Sequence, residues 1–449
     1  MTMRSMATQS RQRANWSGAF ERFVHSEVSG SALLLVSTVL ALALANSRWA
    51  ATYAGVTGTP IGIAVGGAVF SLTLQQWIND LLMVVFFFVV GLEIKRELVV
   101  GQLSSRTRAA FPVMAALGGM VAPALIYAAF NAGGPAARGW GIPMATDIAF
   151  ALGMLALFGR RVPLGLRVFL AALAIADDLG AVLVIAVFYT SRVAWLPLGA
   201  AAVLLALVAV AGRRRIRQPA VYVVLATGVW ACVFGSGVHP TVAGVLVAMA
   251  VPVRSRRDPD EFLALADDRL ATLRTSTLTP TSLNSDRAQL DAVSDLHEAA
   301  GDMRPVGLAL EETLHPFVAF FILPLFAFFN AGVTFDGSLA DVIVQPVGLG
   351  VVIGLVVGKQ IGILLFSWMA VRLGQAELPA GVGWTQIYAG ACLAGIGFTM
   401  SLFVTELAFG GMPQLMVQAK LAILLASLTA AVLGAIVLSL QLGRQARQA

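Results

Sequence analysis

Apolar runs of about twenty residues return a dozen times along this chain, and they limit its fold more than any other feature. Wound as helix at 1.5 Å per residue, a run of that length crosses the roughly 30 Å hydrocarbon core of a bilayer. Backbone inside lipid has to hydrogen-bond to itself, and continuous helix satisfies that within each run. Composition points the same way: 58% of the 449 residues are hydrophobic and 12% are charged. A soluble domain carries about 25% charge. A water-facing surface cannot be assembled from what is left, so the fold class expected is an all-α polytopic membrane protein.

The runs fall at about 28–45, 77–98, 109–130, 140–158, 163–190, 193–211, 219–234, 238–253, 312–331, 342–370, 384–405 and 414–439. Between them lie a polar N-terminal segment (1–27), a Gly- and Thr-rich stretch (50–75), a polar insert (254–311) and a polar tail (440–449). Phe70 to Gln75 alternate with period two, which predicts a hairpin at the membrane edge. The insert holds one expected amphipathic helix, around Ser285–Ala299. The first apolar run lacks a convincing cleavage site and reads as a retained span.

Basic residues (30, against 24 acidic) sit between the runs instead of on one domain, which argues for topology and against nucleic acid. With a cytoplasmic N-terminus, the inner segments collect Lys95 and Arg96, Arg160 and Arg161, Arg213 to Arg215, and Arg254 to Arg257. Little beyond Arg48, Arg138 and Arg192 remains for the outer side. Twelve spans with both termini cytoplasmic follow. Cys232 and Cys392 lie in apolar runs, so neither a disulfide framework nor a metal motif is indicated.

Two spans carry signs of interruption. Pro143 sits in span 4 and Gly395-Ile396-Gly397 in span 11, which makes helices 4 and 11 the expected discontinuous ones. Helices 3–5 and 10–12 are threes that start on opposite sides. That arrangement suits the inverted-topology repeat of a secondary transporter.

Five ionisable residues lie in or near the ends of spans: Asp80, Asp147, Asp177, Asp178 and Lys359. A charge at mid-depth costs several kcal/mol unless it faces protein or water, roughly speaking, so such residues mark ion or proton sites. Asp177 and Asp178 are adjacent on span 5 and point about 100° apart on a helix, toward different surroundings. Their carboxylates can take a hard cation or protons. Lys359 needs a counter-charge, and an aspartate of span 5 is the obvious one. The bridge either closes the bundle permanently or opens when an ion displaces the lysine. Asp147, Lys359, Thr146 and freed carbonyls can offset the ends of an interrupted helix or serve a small cation. Glu93 and Glu97, four apart, form either a cytoplasmic funnel or a solvated helix end. His239 is either a group titrating near neutrality or a loop histidine without a role.

Several strings resemble the bacterial NhaA-type Na+/H+ antiporters. They include Trp77-Ile78-Asn79-Asp80, Gly91-Leu92-Glu93-Ile94-Lys95-Arg96-Glu97, Ala145-Thr146-Asp147-Ile148-Ala149-Phe150 and Asp177-Asp178-Leu179-Gly180. Further on come Ser236-Gly237-Val238-His239-Pro240, Gly358-Lys359-Gln360 and Gly395-Ile396-Gly397-Phe398-Thr399. The resemblance implies an electrogenic, pH-regulated exchanger of Na+ or Li+ for protons in the bacterial inner membrane, working by alternating access, with helices 4 and 11 crossing unwound. It implies Asp177 and Asp178 as the ion and proton carboxylates, holding Na+, and Lys359 as their partner. It makes Asp147 the compensating charge, with Thr146 in the same assembly. Glu93, Glu97 and His239 become pH-response or entrance residues, and Asp80 a structural or tuning carboxylate. A homodimer using the 50–75 hairpin, contact with membrane lipids and no cofactor are further implications. The 254–311 insert departs from the family's short basic connection, which leaves pH control on that side open.

Two rivals stay in view. A proton-coupled carrier of an organic solute calls for a larger polar or aromatic lining than these spans offer. A sensor or scaffold would use the insert to bind a partner. No nucleophile–base pair stands in the spans, so an enzyme is not expected.

Overall fold

The computed structural model describes residues 28–65, 68–190, 193–214, 216, 218–255, 257–276, 279, 286–334 and 343–448. Segment 1–27, Arg192, Arg215, Arg256 and the expected helix start at Ser285 lie outside them.

Among the described residues nine helical segments are long and apolar enough to cross a membrane, or ten if one bent pair counts as a span. Helix α1 (Val28–Ala45) leads into a short helix α2 (Ala50–Thr57) and an antiparallel pair of strands, β1 (Pro60–Val65) and β2 (Ala68–Thr73). Pro60 faces Thr73 across the pair, so the period-two stretch is half of a hairpin. Thr73 then starts α3 (Leu74–Val99): its hydroxyl accepts the Gln76 N–H and its own N–H donates to Gln76 Oε1, a capping box. Trp77 Nε1 donates to the Ile61 carbonyl at 2.9 Å, tying the hairpin to α3.

Helix α4 (Arg106–Asn131) is followed by a 3-10 segment (Pro135–Met144) and helix α5 (Ile148–Leu157). Ala145, Thr146 and Asp147 between them are not helical. Then come α6 (Leu164–Phe188), α7 (Trp195–Arg213), α8 (Pro219–Ser236) and α9 (Thr241–Ala250). Expected spans 7 and 8 correspond to α8 and α9. Both fall in the shorter apolar class, because Gly237, at φ 82°, turns the chain left-handed and Pro240 cannot supply an N–H. Ten residues of α9 reach only about 15 Å.

The polar insert contains two helices where one was expected, α10 (Pro259–Thr275) and α11 (Arg287–Met303). The start signal of α10 is in the sequence. Asp258 caps the Asp260 N–H, Pro259 opens the first turn, and Asp260 and Glu261 face the positive helix end. Arg269 of α10 pairs with Asp295 of α11 at 2.9 Å.

Helices α12 (Val306–Asn330), α13 (Pro346–Arg372), α14 (Trp384–Ala394), α15 (Phe398–Phe409) and α16 (Pro413–Gln448) complete the chain. The bent pair is α14 and α15, which meet at 45° across Gly395–Gly397. Helices α4 and α13 touch through backbone. A Cβ on Gly118 would sit 2.1 Å from the Gly362 carbonyl oxygen, and one on Gly362 2.0 Å from that of Gly118. Small residues permit that approach, and it fixes the height of Lys359 against its neighbours. Single π-helical turns interrupt three helices: Ile78–Leu82 around Asp80, Val318–Ile322, and Gly354–Gly358 just before Lys359. Nothing in residue periodicity announces these turns.

Candidate functional site

Two chain interruptions meet in the middle of the helical body. The Asp147 N–H donates to the Ile396 carbonyl at 2.6 Å, joining the break after the 3-10 segment to the break between α14 and α15. Together the two breaks leave two helix starts and two helix ends without intrahelical partners. Asp147 serves both starts. Its Oδ1 accepts the Phe150 N–H of α5 at 3.1 Å, and its Oδ2 accepts the Thr399 N–H and hydroxyl of α15 at 2.9 and 2.6 Å. One carboxylate thus faces two positive helix ends, the placement that stabilises it. Ser401 of α15 closes the crossing by donating to the Ile142 carbonyl at 2.7 Å.

The helix ends receive donors. Lys359 Nζ donates to the Met144 carbonyl, the last of the 3-10 segment, and Thr146 Oγ1 lies 3.0 Å from the Ala394 carbonyl that ends α14. Both donors also reach α6: Lys359 Nζ is 2.7 Å from Asp177 Oδ2, and Thr146 Oγ1 is 2.7 Å from the same oxygen. Lys359 is 0% and Asp177 1% exposed, so this ion pair is fully out of water. Burying two charges is compensated only when geometry and extra hydrogen bonds are good, and here Lys359 also reaches the Met144 carbonyl and Asp177 the Thr146 hydroxyl.

Asp178 differs from its neighbour in its surroundings. Its Oδ1, like that of Asp177, is buried without a hydrogen-bond partner among the described residues, but Asp178 has no lysine or threonine on its other oxygen. It lines a cavity of about 860 Å³ that also reaches Thr146, Asp147, Thr399, Glu93 and Glu97, whereas Asp177 does not line it. Adjacent aspartates on one helix therefore have separate surroundings. Asp177 is held through its Oδ2 by a lysine and a threonine, and Asp178 opens onto the cavity.

The cavity's other end is charged. Arg96 pairs with Glu311 at 2.8 Å, Glu97 Oε2 accepts the Gln102 N–H at 2.7 Å, and Arg304 pairs with Glu312. Glu93 stands on the wall between this mouth and the aspartates. Lys95, in the same turn, donates to the carbonyls of Met249 and Val251 that end α9, at 2.7 Å for Met249.

The nine sequence candidates therefore divide. Asp177, Asp178, Lys359, Thr146 and Asp147 come together at the crossing, and Glu93 and Glu97 line the same cavity. His239 and Asp80 do not. His239 Nε2 is 3.7 Å from Asp80 Oδ1, and Asp80 is thirteen residues from Glu93 along α3, about 20 Å. His239 thus sits apart from Glu93 and Glu97, with which the sequence reading grouped it, because the left-handed turn at Gly237 carries it to the opposite end of α3. Sequence reasoning assigned no role to Thr399 or Glu311, and gave Arg96 a place only in a cytoplasmic funnel or a solvated helix end. Thr399 was visible as the hydroxyl just inside a helix start after a glycine pair, whereas the Arg96–Glu311 pair spans two distant helices and leaves no local trace.

Apolar helices around a buried carboxylate–lysine centre, reached by one charged cavity, define a polytopic membrane transporter. The family model described as Na+/H+ antiporter 1 matches residues 21–438. A Na+/H+ antiporter NhaA 2 of Sorangium cellulosum is 47% identical over 92% of this chain and 87% of its own length. The Na+/H+ antiporter NhaA of Acidithiobacillus ferrooxidans is 47% identical (92% and 95% covered), and that of Escherichia coli is 44% identical (92% and 96%). The chain belongs to the Na+/H+ antiporter 1 family, whose members are secondary transporters, not enzymes, and work without a cofactor.

Proposed function

We propose that the protein exports Na+, and Li+ with it, in exchange for protons across the bacterial inner membrane. The single observation that carries this reading is the buried Asp178 carboxylate on the cavity wall, its Oδ1 without a hydrogen-bond partner among the described residues, beside an Asp177 tied to Lys359. A charge buried without a partner is costly, so a cation or a proton must neutralise it. Both compete for the same oxygens, and competition at one site is what couples the two flows. Oxygen donors suit Na+, a hard ion. Asp178, Asp177 and the Thr146 hydroxyl offer them within one turn of each other.

In the cycle, Asp178 loses its proton to the cytoplasm and Na+ enters through the cavity past Glu97 and Glu93. As the ion draws on Asp177, the Lys359 bridge loosens, and the crossed assembly moves to expose the site outside. Protons then replace the ion. Two protons per Na+, the second carried by Asp177 or Lys359, make the exchange electrogenic. Asp147 caps both helix starts throughout. Arg96, Glu311 and Glu97 form the cytoplasmic mouth through which the ion enters. Asp80 and His239, at the other end of α3, tune release.

The nine long segments, the bent pair and the two shorter apolar helices together make twelve crossings with both termini cytoplasmic. Helices 3–5 and 10–12 form the inverted repeat, and helices 4 and 11 are the discontinuous members that cross. The β1–β2 hairpin joins two copies into a homodimer embedded in lipid.

Purified protein in acid-inside proteoliposomes, carrying an internal pH dye, tests the reading. External Na+ or Li+ alkalinises the lumen and K+ does not. No response to Na+ at any external pH between about 6.5 and 9, the range in which His and shifted carboxylates titrate, contradicts it.

A further inference from the structure

Phe87, Phe326 and Phe403 do not line the cavity, and on their three helices the side chains beyond it follow the same order. On α3, Val90 lines the cavity, Phe87 lies deeper, and Asn79 and Gln75 follow. On α12 the order is Leu323, Phe326 and Asn330. On α15 it is Met400, Phe403 and Glu406. The middle layer is aromatic: Phe403 meets Phe87 at 5.3 Å and Phe326 at 6.2 Å between ring centroids. The outermost layer is polar and hydrogen-bonded. Asn79 and Asn330 exchange amide hydrogen bonds at 3.0 and 2.8 Å, and Gln75 Nε2 lies 3.1 Å from Asn330 Oδ1 and 3.2 Å from Glu406 Oε1. That same Glu406 oxygen is 2.6 Å from Lys420 Nζ of α16, whose side chain is 7% exposed.

We propose that Gln75 and the Lys420-fixed Glu406 are a latch that holds the far face shut while the cavity is open. The inference rests on the exchange reading above. Gln75 belongs to α3 with its partners Asn79 and Asn330, while Glu406 and Lys420 ride on α15 and α16 with the Asp147–Thr399 crossing. Opening the far face separates these two groups of helices. The aromatic layer parts without leaving any polar atom unsatisfied, because ring contacts have no directional partner to lose. The Gln75–Glu406 bond is different: it is directional, its acceptor is charged, and it crosses the line of separation. Lys420, 2.6 Å away, keeps Glu406 aimed when the bond breaks, so the latch can close again. The latch thus biases the two-state equilibrium toward the open cavity without touching the ion.

Met83, 0% exposed and one turn from Asn79 and from Phe87, lies between the latch and the aromatic layer. The test uses Met83→Cys in a full-length background lacking Cys232 and Cys392, in right-side-out vesicles treated with a membrane-impermeant thiol reagent. Gln75→Ala and Glu406→Gln are each added and labelling rates compared. The latch predicts labelling at least about tenfold faster in both variants, the factor by which a population shifts when one such bond is lost. Rates within about twofold of the parent in both overturn it. Gln75→Glu, which sets two carboxylates together, must label faster still, and slower labelling also overturns the proposal. Na+/H+ exchange is measured on the same parent. Its absence there counts against the exchange reading, whereas exchange with unchanged labelling counts against the latch alone.

Discussion

Among the described residues two lysine–carboxylate pairs lie largely out of water, and they differ in what surrounds them. Lys359 and Asp177 meet at 2.7 Å, wholly out of water, with the unpartnered Asp178 next in sequence and the cavity at its side. Lys420 and Glu406 meet at 2.6 Å, closer to the far face, with an amide as the neighbouring group. The chemistry of the pairs is the same. The first has a second carboxylate next in sequence, and that carboxylate lines space that an ion can enter. A buried ion pair by itself is weak evidence for transport, and an unmatched charge beside it is strong evidence.

The comparison can be broken most directly at Asp178. Asp178→Asn keeps the shape and removes the exchangeable charge, and Na+-driven proton flux falls by roughly two orders of magnitude or more in the dye assay, as expected of a functional intramembrane carboxylate. The same change at Glu406 leaves at least about a third of the flux, since that carboxylate holds no ion and lies at a partly exposed pair. Equal losses would erase the distinction between the pairs.

Stability separates them next. Lys359→Met strands Asp177 and lowers thermal stability by about 3–5 kcal/mol in detergent, the cost of breaking a fully buried pair. Lys420→Met, where Glu406 is 17% exposed, costs about 1 kcal/mol. Melting temperatures measured side by side decide this. A smaller effect follows at the crossing: Asp147→Ala removes two helix caps at about 1 kcal/mol each, whereas Thr399→Val loses one hydroxyl bond at about 1 kcal/mol. Smallest of all is excision of the 259–303 helical pair. Exchange stays within about twofold of the parent, because exposed insertions are tolerated where few buried contacts cross. A full loss would instead favour a partner-binding role for the insert.

Most of the site could be read from residue types. Charged residues inside apolar runs are expensive, so Asp147, Asp177, Asp178 and Lys359 stand out without any structure. Pro143 and the Gly395–Gly397 pair marked where helix stops, since one lacks an N–H and the others favour a break. What stayed hidden depends on three dimensions. Which aspartate holds the lysine follows from the π turn at Gly354–Gly358 and the backbone contact of Gly118 with Gly362, and neither has a periodic signature. The sharing of Asp147 between two helix starts depends on segments some 250 residues apart. The hairpin signal was legible because alternation is local, and α10 was missed although its Asp-Pro-Asp-Glu start was local too. Its low hydrophobicity, natural for a helix outside the membrane, gave no apolar face to count.

Competition between Na+ and protons at Asp178 is the central claim, and binding can be measured without transport. Na+ is titrated into weakly buffered purified protein in detergent while released protons are followed with a pH indicator, for the parent and for Asp178→Asn. The account predicts proton release that saturates with Na+, an apparent affinity that weakens by roughly tenfold for each unit of falling pH per competing proton, and no release from the variant. Na+ binding whose affinity ignores pH, or equal proton release from Asp178→Asn, would contradict it.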